Sequence, residues 1–316
     1  MLERLDARAV ILMVVLTAIW GGSFTFVKLG LRDLPVFGSI CLRFLLAAGI
    51  LTVYCRWTGI PLWYTGRSAR YLLASAAAFA WGQSLLYLGL NLTTAGRGSI
   101  FFNTQPFFTL LLLPLFIPEE TFTARKLVGT VVAFSGVVLL FLEKLGGGSG
   151  WALLGDVLTL LATLGWSANN IITKRVAGQV HPTSLILWSS AGALPVMVAL
   201  TLLLESRAPW RFTATAIASV LYLGGIAAAF SFVIFAWLIQ HYSAIRVNAF
   251  VFLTPVFGVL IGWALLGETL SASQLAGALL VAAGILIVNT EPRSRSPHPT
   301  PSSQRGAGGV WGGGSR

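Results

Sequence analysis

Ten apolar runs follow one another along the chain, at about residues 9–29, 36–55, 71–90, 98–117, 125–142, 151–171, 184–204, 214–238, 247–266 and 272–289. An α-helix rises about 1.5 Å per residue, so roughly 20 residues cross the ~30 Å hydrocarbon layer of a bilayer. Each run has that length. The connectors are short and polar, and carry turn chemistry: RDLP, PEETFTARK, GGGSG, HPTS and ESRAPWRFT. Short connections make successive helices antiparallel. The pattern predicts an all-α membrane protein with ten transmembrane helices.

The runs repeat. WGGSFTFVK (Trp20 to Lys28) returns as WSANNIITK (Trp166 to Lys174), and AGRGSIFFNTQPFF (Ala95 to Phe108) as AIRVNAFVFLTPVF (Ala244 to Phe257). EETFTARKLVGTVVAFSG returns as GETLSASQLAGALLVAAG, which sets Glu120 opposite Glu268, Gly129 opposite Gly277 and Gly136 opposite Gly284. Three matches in order, at nearly constant offset, indicate duplication. Five spans per half is an odd number, so the second half enters the membrane upside down. The reading is two inverted five-helix repeats, residues 1–143 and 144–290, followed by a basic tail, 291–316. That tail, rich in Pro, Ser, Gly and Arg, is expected to be disordered and cytoplasmic.

Composition agrees: 56% of the 316 residues are hydrophobic and 10% charged, where soluble domains carry roughly 25% charged residues. The net charge of +11 is explained by topology. With the N-terminus inside, fourteen Lys and Arg fall on the cytoplasmic side, six on the other, and Arg43 within a span. This bias places both termini in the cytoplasm and leaves no basic domain for nucleic acid. Two cysteines, Cys41 and Cys55, lie ~21 Å apart if helical and are expected to be free thiols.

Candidate chemistry sits where polar residues interrupt the apolar runs, since an unpaired polar group in hydrocarbon costs several kcal/mol. Pro106 and Pro255 are expected to kink the fourth and ninth helices and turn freed carbonyls toward a cavity, beside Asn103, Gln105, Asn248 and Thr254. A kink that only serves packing is the alternative. Trp20 and Ser23 in the first span match Trp166, Asn169 and Asn170 in the sixth, and these polar positions are expected to face inward. Trp81, Gln83 and Tyr87 in the third, and Ser231 and Trp237 in the eighth, complete the cavity candidates. Arg43 is assigned first to structure, pairing with carbonyls or Asp33, and second to substrate. Glu120 and Glu268 are read as capping the fifth and tenth helices. The small faces Gly129/Gly136 and Gly277/Gly284 are read as helix packing between the halves.

These motifs resemble the paired EamA-type domains of the drug/metabolite transporter superfamily. The shared elements are WGGSF…K, Arg43-Phe44 with LLAA, the prolines of the fourth and ninth spans, and the acidic residue followed by G…G. The resemblance covers about residues 9–290. It implies a ten-helix carrier of the inner or plasma membrane that moves small metabolites, often outward. The proline of PLFIPEE departs from the family pattern and stiffens that connection. A pocket of rings and amides with little charge suits small amphipathic or zwitterionic metabolites such as amino acids. Nucleotide sugars and lipids stay open as cargo. An embedded lipid-modifying enzyme would need clustered carboxylates, histidines or metal ligands, and an ATP-driven pump a phosphate-binding loop. The sequence has neither, so no cofactor or metal is expected. The expected partners are a small-molecule substrate and membrane lipid, with the chain a monomer or a homodimer.

Overall fold

A computed structural model describes residues 5–142, 150–266 and 271–290. Glu268, the boundary between the two repeats and the basic tail lie outside the described residues.

The first half contains α1 (Ala7–Gly30), α2 (Val36–Thr58), α3 (Gly66–Leu92), α4 (Ala95–Phe102), α5 (Gln105–Phe116) and α6 (Ala124–Leu140). The second contains α7 (Gly150–Arg175), α8 (Pro182–Leu204), α9 (Ala214–Leu221), a π-helical stretch (Tyr222–Phe230), α10 (Ser231–His241), α11 (Ala244–Ala249), a 3-10 turn (Phe250–Phe252), α12 (Leu253–Leu266) and α13 (Ala272–Asn289). Among the described residues, nine helical runs are long and apolar enough to cross a membrane. The 17 residues of α6 supply a tenth, slightly shorter rod at a predicted position. Cys41 and Cys55 are free thiols.

Two predicted continuous helices are instead interrupted. The fourth span stops at Phe102 and restarts at Gln105, with Pro106 in the first turn of α5. The ninth passes through the 3-10 turn and restarts at Leu253, just before Pro255. A first-turn proline needs no amide partner there, so each proline begins a helix and does not bend one. Both broken spans open with a hydroxyl cap. Thr94 accepts from the Arg97 amide, and Ser243 from the Arg246 amide. In the eighth span the wide π turn brings Gly224 against α2, where a Cβ would lie 2.9 Å from the Arg43 carbonyl. Ser231 then donates to the Ala227 carbonyl at 2.6 Å. Wide turns of this kind commonly mark functional stretches of membrane and soluble helices alike.

Contacts between the halves come in matched pairs. α3 packs on α7 as the eighth span packs on α1; α3 packs on α8 as the eighth packs on α2; and α1 packs on α12 as α7 packs on α5. α6 meets its own counterpart α13. A Cβ on Gly129 would lie 2.8 Å from the Gly284 carbonyl, and one on Gly277 2.7 Å from that of Gly136. The lower-numbered glycine of each helix thus meets the higher-numbered one of the other, so the two equivalent helices run antiparallel with backbones in contact.

Loop contacts define two faces. Arg8 stacks on Trp237, Arg125 bonds the Ile287 carbonyl and Thr290, and Glu120 reaches Ser243. These put the start of α1 and the end of α13 on one side, the terminal face. On the opposite face, Glu205 caps α2 by accepting from the Phe37 and Gly38 amides, and Thr213 donates to Asp33 at 2.6 Å. A carboxylate at a helix N-terminus suits the dipole. Asp33 is therefore engaged with Thr213, not with Arg43 as one expectation had it.

Candidate functional site

Where the halves meet, the helices leave a partly enclosed cavity. Its wall is a hoop of aromatic rings built from both halves. Trp20 and Phe232 lie 5.9 Å apart between centroids, Phe232 and Trp166 5.2 Å, Trp166 and Phe102 5.8 Å, and Phe102 and Phe24 5.8 Å. Phe24 returns the hoop to α1, one helical turn from Trp20. Most of these pairs are edge-on, the arrangement ring quadrupoles favour. Trp20 is held by a hydrogen bond from its Nε1 to Ser231 Oγ at 2.8 Å.

Below the hoop, toward the terminal face, lies an amide cluster that crosses the seam. Gln105 of the first half donates to Asn248 Oδ1 at 3.0 Å, and Asn170 of the second donates to the same oxygen at 2.9 Å. Asn248 itself donates to the Ala244 carbonyl at 2.8 Å, and Gln105 also donates to Thr109. The helix break at Asn103–Thr104 lets Gln105 project inward from the start of α5. Arg43 enters from α2. It is 5% exposed and donates from Nη1 to Tyr87 Oη at 3.0 Å and Gln83 Oε1 at 3.3 Å. Its guanidinium lies 5.5 Å from the Phe232 ring centre, within cation–π range. It is buried at depth and does not snorkel to an interface.

The cavity wall includes Trp20, Ser23, Gln83, Gln105, Trp166, Asn170 and Thr254 among the sequence candidates, together with Arg43. Ser231, Asn248 and Tyr87 stand one layer back, each bonded to a lining side chain. Pro106 and Pro255 are buried beside Gln105 and Thr254 and shape the backbone there. Four candidates point elsewhere. Trp81 is 53% exposed and donates to the Leu161 carbonyl. It is two residues from Gln83, which turns it about 200° around the helix. Trp237, two residues past Phe235, is turned away for the same reason and stacks on His241 at 4.6 Å. Asn169 faces α3 and donates to Ser75 Oγ at 2.8 Å. Asn103 folds back onto the Ser99 carbonyl at 2.7 Å.

Sequence reasoning passed over Phe24, Phe102, Phe232 and Phe235, all in the wall. Phe24 was detectable, being four residues from Trp20 and so on its face. Glu120 also differs from its expectation: it caps α11, across the seam, and not its own helix. It is 1% exposed and accepts from Ser243 Oγ at 2.7 Å and from the Ala244 amide. Beside it, Lys174 Nζ donates to the carbonyls of Ile239 at 2.9 Å and Tyr242 at 2.5 Å. This buried cluster closes the terminal face under the cavity. At the opposite face Arg97 pairs with Asp156, which also accepts from Thr93 at 2.8 Å. No group of three or more potential metal ligands exists among the described residues.

Known proteins share this architecture. The model of the EamA-like transporter family matches the chain twice, over residues 7–142 and 153–290. A probable amino-acid metabolite efflux pump of Salmonella typhimurium is 32% identical over 90% of this chain and 95% of its own length. Its Escherichia coli namesake is 30% identical with the same coverage. An uncharacterized transporter of Archaeoglobus fulgidus is 26% identical over 91% of this chain. A solved crystal structure superposes with a TM-score of 0.77 at 14% identity, covering 90% of this chain and 96% of the other, and so shares the fold. Two copies of one family model, filled by ten apolar helices around a shared cavity, identify an integral membrane transporter and not an enzyme: the chain belongs to the EamA-like transporter family.

Proposed function

We propose that this chain is an alternating-access carrier that exports small amphipathic or zwitterionic metabolites, amino acids among them, across the inner or plasma membrane. The observation that carries the reading is the cavity at the seam, walled by rings and amides from both halves. A site shared by two oppositely oriented repeats can be exposed to either side by rocking one half on the other. Two relatives named as probable amino-acid metabolite efflux pumps support the cargo class and the direction.

The two faces differ as alternation requires. At the terminal face, Lys174 and Ser243 are locked into the cluster with Glu120. Their counterparts in the first half are Lys28 and Thr94. These line a surface depression at the opposite face, together with Asn91 and Ala95. Equivalent residues are thus closed on one side and parted on the other. With both termini cytoplasmic, as the charge bias favours, this is an outward-facing conformer.

The test is counterflow in proteoliposomes preloaded with unlabelled neutral amino acids. Saturable uptake of the labelled amino acid is expected. Preference for a multiply charged solute such as a sugar phosphate would overturn the cargo class.

A further inference from the structure

We infer that Arg43 is the anchor for a carboxylate on the cargo, and that the cavity demands this carboxylate more strictly than it demands an amine. The inference rests on the carrier reading and names the chemical group that the same site selects.

Four buried polar atoms in the cavity wall have no hydrogen-bond partner among the described residues: Arg43 Nε, Gln83 Nε2, Trp166 Nε1 and Thr254 Oγ1. Three of them can only donate, and the fourth can donate. Buried polar groups are otherwise almost always paired, so four in one cavity form a set that awaits an acceptor. Three of them belong to residues gathered beside one ring. Arg43 and Trp166 flank Phe232, at 5.5 Å and 5.2 Å from its ring centre, and Gln83 already bonds Arg43. Among the described residues Arg43 donates hydrogen bonds only from Nη1, and both acceptors are neutral.

Charge points the same way. Among the described residues, no Asp or Glu lines the cavity. A guanidinium held in low dielectric without a counter-charge is costly, and a bound carboxylate would supply both the charge and the acceptor oxygens. A structural arginine would be expected to spend its donors on carbonyls or on a protein carboxylate; this one has a buried Nε with no hydrogen-bond partner among the described residues. Among the described residues of the wall a cargo ammonium finds ring faces and amide oxygens but no carboxylate. The site is therefore asymmetric in its demands: an acidic head is recognised by charge, and an amine is accommodated.

The experiment measures thermal stabilisation of the purified full chain by four matched probes: L-leucine, L-leucinamide, 4-methylpentanoate and 3-methylbutylamine. The two carboxylates are expected to protect at roughly tenfold or more lower concentration than the amide and the amine, the scale of a charge-assisted hydrogen bond. Arg43→Gln should abolish that difference, and Arg43→Lys should restore part of it. If Arg43→Gln fails to fold, Trp166→Phe keeps the ring and removes one donor, and should weaken the carboxylates alone, several-fold. A purely structural Arg43 would lower stability with all four probes equally. The anchor is wrong if the discrimination survives Arg43→Gln. It is equally wrong if no monocarboxylate from acetate to 3-phenylpropanoate protects the wild type better than its own carboxamide. Leucine counterflow without carboxylate preference would sink the anchor and spare the carrier. Carboxylate preference without amino-acid counterflow would do the reverse.

Discussion

Asn248 shows how much one side chain can organise at this seam. Its Oδ1 is the common acceptor for Gln105 and Asn170, one from each half, and it is 1% exposed. Replacing it by leucine keeps the volume roughly but leaves Asn170 Nδ2 without this acceptor and takes one partner from Gln105. Each buried donor stranded this way costs about 1–3 kcal/mol, so Asn248→Leu should lower the thermal midpoint markedly and depress counterflow. Trp81→Leu is the contrasting change. Its ring is exposed on the outside of the bundle, and counterflow should stay at the wild-type rate. An equal loss of transport in both variants would contradict the placement of the site. The sequence pointed to polar residues in the right spans but could not resolve which side of each helix faced inward. A shift of two residues separates Gln83 from Trp81, and Phe235 from Trp237. Where nearly every neighbour is apolar, hydrophobic periodicity carries no signal to separate the cavity face from the lipid face.

Helices were legible because the bilayer fixes their length, and the pairing of α6 with α13 was foreshadowed by glycines seven residues apart on each. Those glycines bring backbones together: a Cβ on Gly136 would lie 2.5 Å from the Gly277 carbonyl and 2.7 Å from the Val281 amide nitrogen. Neither neighbour is a flexible side-chain end. Gly136→Val should therefore force the helices apart at a cost of about 1–3 kcal/mol, the usual range for overpacking. Gly49 offers the control, since nothing lies within 4 Å of a Cβ built there in mid-α2. Gly49→Ala should stabilise by about 0.5–1 kcal/mol through backbone entropy alone. Thermal unfolding of both variants checks the pair, and destabilisation by Gly49→Ala would count against this packing account. The broken spans were less legible. Pro106 and Pro255 announced an irregularity, but whether a proline bends a helix or starts one depends on the residues before it. Here the Thr104 amide leaves the ladder and donates three residues back to Phe101 in one span, and a 3-10 turn intervenes in the other. The π turn of the eighth span had no local signature beyond its Gly224-Gly225 pair.

For the molecule as a whole, symmetry makes a prediction that no single contact could. Thr94 and Ser243 occupy equivalent positions, each capping the helix that follows it. Ser243 is 4% exposed and bonded to Glu120, whereas Thr94 is exposed beside the depression that Lys28 lines. In a chain with Cys41 and Cys55 replaced by serine, Thr94→Cys should react with a membrane-impermeant thiol reagent from the face opposite the start of α1 and the end of α13. Ser243→Cys should resist from either side. Glu120 holds the terminal face shut by accepting from Ser243 and Ala244 next to the Lys174 ammonium. Glu120→Gln keeps the shape but removes the negative charge, and a neutral acceptor makes weaker hydrogen bonds than a carboxylate. The balance between conformers should then move toward opening at the terminal face. Labelling of Ser243→Cys should rise from that side, and labelling of Thr94→Cys should fall from the other. The opposite signs are the essential part, because one rigid half rocking on another cannot open both ends at once. If the two rates rose together, the Glu120 cluster would be a structural staple whose loss merely loosens the bundle, and the closure of the terminal face would have no part in transport.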